Sequence, residues 1–124
     1  MISGDKSVFD QILNSIKEKD LGFDNILIVD SDGIIIEKLD THESDDTIAA
    51  ECAGLFKETN RLSDEVALGE TAFVQIQFSD KNLLISHVGK GYLMIGVQGD
   101  DRQLARSKFW LKVKSIQSLC IIES

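Results

Sequence analysis

Histidine, cysteine and paired aspartates are the residues here that could bind a metal or attack a substrate. His42 and His87 stand far apart, with no cysteine or carboxylate at ligand spacing, and no His-Glu-x-x-His segment occurs. Cys52 and Cys120 each sit in an apolar, helical context and belong to no Cys-x-x-Cys pair. They read as small, buried, reduced side chains. Asp30-Ser31-Asp32-Gly33 begins like a calcium loop, which needs an oxygen ligand at its fifth position, Gly at its sixth and Glu at its twelfth. Those places hold Ile34, Ile35 and Thr41, so the segment reads as a turn. No Gly-x-x-x-x-Gly-Lys phosphate loop, no Gly-x-Gly-x-x-Gly after a strand and no nucleophile elbow occurs. Asp45-Asp46 and Asp100-Asp101 fall at helix starts, where carboxylates complement the helix dipole. The expectation is no catalytic residue, no cofactor and no metal, hence a binding module rather than an enzyme.

Composition narrows the partners. The net charge is −8 over 124 residues, which disfavours a phosphate backbone or an anionic membrane as partner. The thirteen basic residues are scattered; a loose cluster of Arg102, Arg106, Lys108, Lys112 and Lys114 alternates with apolar residues, like the wet side of a helix. No apolar run approaches the roughly 18 residues of a membrane span, and the N-terminus lacks a signal-like stretch. A cytoplasmic protein with no membrane insertion is expected. With 43% apolar and 6% aromatic residues, Leu, Ile and Val must build the core. Proline is absent and no linker interrupts the chain, so residues 1–124 read as one domain.

The elements that must position these residues follow from periodicity. Val8, Phe9, Ile12, Leu13 and Ile16 share one helical face over about Asp5 to Lys19, with Ser3 or Asp5 as cap. Asn25–Val29 and Ile34–Ile36 are short apolar strands joined by the Asp30–Gly33 turn. A helix runs from about Asp45 to Glu65, capped by Ser44. On a helical wheel Ile48, Cys52, Leu55, Thr59, Leu62 and Val66 form one stripe, taken as the core face. Phe56, Ala49, Ala53 and Asn60 flank it, and Ala50, Gly54, Lys57 and Arg61 lie opposite. Strands follow at about Thr71–Phe78, Asn82–Val88 and Tyr92–Gln98, then a helix from Asp101 to Leu119 with Phe109, Val113, Ile116 and Cys120 on one face. The first, second and last strands are nearly continuous apolar runs, as in strands covered on both sides. The third alternates, with Val74, Ile76 and Phe78 against Gln75 and Gln77, which suits an edge or a boundary between subunits.

The order α-β-β-α-β-β-β-α resembles the Roadblock/dynein light-chain (Roadblock/LC7) family. So do the Asp30-Ser31-Asp32-Gly33 turn, the Ala-rich helix from Thr47 to Leu62, Leu68-Gly69-Glu70 before the third strand and Gly89-Lys90-Gly91-Tyr92 before the fifth. The resemblance spans nearly the whole chain. It implies an α/β (α+β) three-layer sandwich of Roadblock/longin/profilin type, with an antiparallel five-stranded sheet between helices. It also implies a homodimer in which third strands pair edge to edge and middle helices pack antiparallel. The expected dimer contacts are Ala49, Ala53, Phe56 and Asn60 from the helix and Phe73, Gln75 and Gln77 from the strand, an isologous arrangement. Ala50, Gly54, Lys57 and Arg61 are the candidate partner-binding face; the alternative is a plain solvated face with Gly54 as a weak helix former.

Bacterial, MglB-like members are similar to a gliding-motility GTPase-activating protein that stimulates a Ras-like partner without supplying a catalytic side chain. The resemblance therefore implies a non-catalytic regulator of a small Ras-like GTPase. It speaks against Arg61 as an arginine finger. A structural adaptor of dynein light-chain type, without effect on nucleotide turnover, is the alternative. A small-molecule sensor of profilin-like or PAS-like shape is a weaker third, since the aliphatic runs offer few residues to line a polar cavity.

Overall fold

Phe9, Ile12, Leu13 and Ile16 recur at the spacing that gathers one helical stripe, and in the computed structural model of the protein all four are buried on helix α1 (Ile2–Glu18). The structure describes residues 2–19, 22–89 and 91–99, with side chains from residue 9 onward. The expected helix from Asp101 to Leu119, with Cys120 and the basic cluster, lies outside the described residues, as do the side chains of Ser3, Asp5 and Val8.

After α1 the chain forms β1 (Phe23–Val29), β2 (Ile35–Lys38), α2 (Asp45–Val66), β3 (Phe73–Gln77), β4 (Asn82–Gly89) and β5 (Tyr92–Gln98). The strands make one antiparallel sheet in the order β2-β1-β5-β4-β3. Apolar β1 and β5 therefore lie inside the sheet, and β3 lies at one margin as its half-polar pattern suggests.

Alternation along each strand sorts the core into two layers. Ile26, Ile28, Leu84, Val88 and Met94 pack with the α1 stripe. Leu27, Val29, Ile85, Leu93 and Ile95 pack with Ala49, Cys52, Ala53 and Phe56 of α2. Neighbours in sequence on β1 thus serve opposite layers, so α1 and α2 cover opposite faces of the sheet. Full burial of each such aliphatic side chain is worth about 1.5–3 kcal/mol before entropy is subtracted. Gly96 is required where the Phe23 ring crosses β5: a Cβ there would come 2.5 Å from a ring carbon.

The β1–β2 turn is built as its residues dictate. The Asp30 carboxylate accepts from the backbone N–H of Asp32 at 2.9 Å and of Ile34 at 3.0 Å, and Gly33 takes φ +84°. The turn also rests on α2, because a Cβ on Gly33 would lie 2.9 Å from the Ala50 Cα.

The structure corrects which face of α2 meets the sheet. Ala49 (0% exposed), Ala53 (4%) and Phe56 (5%) are buried within their own protomer and leave almost no surface for a second copy. Of the stripe assigned to the core, only Cys52 is buried; Ile48, Leu55 and Thr59 are half-buried, and Leu62 and Val66 are more than half exposed. The helix is turned by about a quarter of a revolution from the expected setting. Small side chains let the helix backbone approach the sheet closely, with Phe56 filling the space between, so alanines line the contact and the larger aliphatics sit at its flank.

Candidate interaction surface

Helix α2 is anchored by a buried carboxylate. Ser44 precedes the helix but makes no side-chain cap. Instead Asp45, 3% exposed, accepts from Asn25 Nδ2 at 2.9 Å and from the His42 backbone N–H at 2.9 Å, and Lys38 Nζ lies 3.5 Å away. Asn25 Oδ1 in turn accepts from the N–H groups of Ile26 and Asp40 at 2.9 and 2.8 Å. The network fastens β1, β2, the connecting loop and the start of α2, and its buried polar groups are satisfied as burial demands. In the sequence Asp45 reads as a carboxylate complementing the helix dipole, and Asn25, a lone amide among strand residues, carries no local signal.

The α2 flank nearest β3 is apolar and open. Leu62 is 53% exposed, Val66 54% and Phe78, just after β3, 57%, and Ile48 and Leu55 lie on the same flank. Ile48, Cys52, Phe78, Leu83 and Val97 line an almost wholly apolar groove of about 280 Å³. Helix α2 packs over β1 and β5, and the free margin of the sheet, β3, lies two strands beyond β5 on the side the flank faces. The Ala72 carbonyl accepts from the His87 N–H at 3.0 Å and the Phe78 N–H donates to the Lys81 carbonyl at 2.9 Å. Alternation along an antiparallel ladder then directs Val74 and Ile76 toward β4, and the backbone groups of Gln75 and Gln77 outward. No strand pairs with that margin among the described residues. Ile48, Leu62, Val66 and Phe78 were absent from the expected interface. Ile48, Leu55 and Leu62 recur every seven residues, but large aliphatic residues at that spacing read first as core.

The opposite stripe is polar, and its parts are partly committed. Ala50 supports the β1–β2 turn, as described above. Gly54 has nothing within 4 Å of the position a Cβ would take, so the backbone is open there. Lys57 lies 4.0 Å from Asp32. Arg61 is held by two carboxylates on its own helix, Glu58 at 2.9 Å and Glu65 at 3.0 Å. Such exposed pairs add little stability, but they point the guanidinium along the helix.

Beyond α2 the chain turns back in a tied loop. Ala67 adopts a left-handed conformation at φ 57°, the Ser63 hydroxyl donates to the Gly69 carbonyl, and Asn60 Oδ1 accepts from the Thr71 N–H at 3.0 Å. Asn60, expected at the dimer seam, is thus engaged within the protomer. Loop and helix enclose an open cleft of about 500 Å³ lined by Phe56, Asn60, Ser63, Asp64, Glu70, Thr71 and His87 among others.

The chemistry-bearing residues remain dispersed. His87 stacks on Phe56 with ring centroids 6.0 Å apart, while His42 lies near the Asp24 carbonyl at 3.2 Å. Burial, then the nearby Glu51 charge, pushes the Cys52 thiol up to about 11. Among the described residues no group of three His, Cys, Asp or Glu could hold a metal, and no helix is long and apolar enough to cross a membrane.

Several solved structures share this architecture. The gliding protein MglB from Thermus thermophilus superposes with a TM-score of 0.82 at 19% identity, covering 96% of this chain and 91% of that one. MglB from Myxococcus xanthus gives 0.80 at 18% identity, over 99% and 90%. MglC from the same organism gives 0.62 at 16%, over 91% and 98%. A further MglB structure, with a TM-score of 0.80 at 17% identity over 94% and 90%, is described as having a tetrameric arrangement. At these identities the likeness is one of fold. No curated protein matches the chain. The sequence pattern of the Roadblock/LC7 domain, however, matches residues 15–98, more than half of the chain, from the last turn of α1 to the end of β5. This chain belongs to the Roadblock/LC7 domain family.

Proposed function

We propose that this chain is a homodimeric, non-catalytic cytoplasmic regulator of a small Ras-like GTPase. The observation that carries the reading is the coincidence of an open apolar flank on α2 with an open strand margin, β3, on the side of the sheet that the flank faces. Two copies related by a two-fold axis through Gln75 would pair β3 with β3 and bring Leu55 against Leu55. Ile48 of each copy would then face Leu62 of the other, since both stand seven residues from Leu55. Apolar surface left by each protomer is covered and the bare backbone groups are paired, which is how proteins commonly manage an edge. This seam uses Gln75 and Gln77 as expected from the sequence, and replaces Ala49, Ala53 and Phe56 with the exposed aliphatics.

The partner would meet the other stripe, at Ala50, Gly54, Lys57 and Arg61, which stays outside the seam and carries open backbone at Gly54 beside two basic side chains paired with carboxylates. Activation would come from binding that reshapes the GTPase, since Arg61 is held by Glu58 and Glu65 rather than poised as a finger. The family resemblance and the MglB-like fold support this class of partner.

The test is a GTP-hydrolysis assay with a Ras-like GTPase from the same source, alongside light scattering of the chain alone. A dimer that binds the GTPase and raises its turnover supports the reading. Binding without a change in turnover turns it into the adaptor reading, and absence of any complex rejects both.

A further inference from the structure

The cleft under the end of α2 is not used by the dimer or by the partner stripe, and its electrostatics are unusual for a helix C-terminus. That end is the negative pole of the helix dipole and is ordinarily met by Lys or Arg. Here the last turn contains no basic residue, while Asp64 on the helix and Glu70 on the returning loop both line the cleft. Neither carboxylate lies within ion-pairing distance of a cation among the described residues, whereas Asp24, Asp45, Glu58 and Glu65 all do. The floor is the half-buried His87 ring, backed by buried Phe56 with 17° between the ring planes. The wall is set in advance by the Ser63–Gly69 and Asn60–Thr71 hydrogen bonds and by a Thr71–Thr59 hydroxyl contact of 2.8 Å.

We propose that this cleft is a receptor for an arginine side chain presented by a partner protein. A guanidinium is flat, so it lies on a ring face, and its fork of N–H donors suits carboxylates, of which the cleft carries two. A lysine ammonium offers neither the plane nor the fork. The rigid wall lowers the ordering cost that such a contact would otherwise carry. The inference does not depend on the partner being a GTPase.

The experiment titrates the isotopically labelled full chain with arginine amide and, separately, with lysine amide, following backbone and histidine resonances. Saturable shifts centred on Asn60, Glu70 and His87 are expected, with lysine amide binding about fivefold or more weakly. The double substitution Asp64→Asn and Glu70→Gln should weaken arginine amide about tenfold, as expected for two partly exposed charge contacts. Both side chains are exposed, so the double variant is expected to keep its fold, which its amide spectrum reports. Equal binding of the two amides to the unmodified chain overturns the proposal without any variant. So does an absence of saturable shifts, or an unchanged affinity in the folded double variant.

Discussion

Ala53→Arg separates two settings of α2 with one substitution. If Ala53 faced a second copy, the charge would split a dimer and leave folded monomers. In the structure Ala53 is 4% exposed and belongs to the layer of Leu27, Val29, Ile85, Leu93 and Ile95. An arginine there must bury an unpaired guanidinium, at several kcal/mol even after relaxation, and force extra volume into a packed layer for about 1–3 kcal/mol more. The total is comparable with the whole stability of a domain, about 5–15 kcal/mol, so the expected product is unfolded or aggregated chain. Leu62→Arg is the counterpart. Leu62 is 53% exposed, so the protomer should change by no more than about 0.5 kcal/mol. The dimer should weaken about thirtyfold, from about 1 kcal/mol of lost apolar burial at each of the two symmetric contacts. Circular dichroism with urea unfolding reads the first effect, and light scattering against concentration reads the second. A cooperatively folded Ala53→Arg within about 1 kcal/mol of the parent would refute the orientation of α2. An undiminished Leu62→Arg dimer would refute the seam.

The remaining predictions probe single contacts. Gly33→Ala should cost about 1–3 kcal/mol in urea unfolding, because φ +84° strains an L residue and its Cβ would meet the Ala50 backbone at 2.9 Å; a neutral outcome would mean that the turn does not rest on α2. Gly96→Ala should cost about 1–3 kcal/mol by displacing the Phe23 ring, and less in a Phe23→Leu background; an additive double-mutant cycle would deny the contact. Asp45→Ala should destabilise by about 1–3 kcal/mol by leaving Asn25 and the His42 N–H without their acceptor, read by chemical denaturation. Cys52, its thiol held near 11 against an ordinary 9.0, should resist alkylation at pH 8 in a Cys120→Ser chain until urea unfolds it. Because the folded value is the higher one, the protonated thiol favours the native state below pH 9. Stability should therefore fall as pH rises from 9 toward 11; alkylation at the rate of a free thiol would contradict its burial.

Much of the architecture was legible because it rests on local chemistry. Asp30 and Gly33 favour a turn through bonds to their immediate neighbours and a positive φ. Tyr92–Gln98 is apolar on both faces and lies inside the sheet, and the Gln75–Gln77 alternation marked β3 for a margin; Ile34–Ile36, an apolar run as well, instead supplies the other margin as β2. Strand limits moved by a residue or two, since β1 begins at Phe23 rather than Asn25, where the ring's packing across Gly96 extends the pairing.

The setting of α2 could not be read in the same way. Its apolar residues fill two adjoining stripes, and hydrophobicity alone favours the one with Ile48, Leu55, Leu62 and Val66. What decided between them is distance: a helix lined by Ala49, Ala53 and Cys52 comes closer to the sheet, and only the assembled sheet reveals the space that Phe56 fills. The same holds for the cleft, whose helix end, loop and His87 meet only after α2 and β4 are brought together. Periodicity and turn chemistry are properties of neighbours along the chain; the choice between two apolar faces belongs to the surface they pack against.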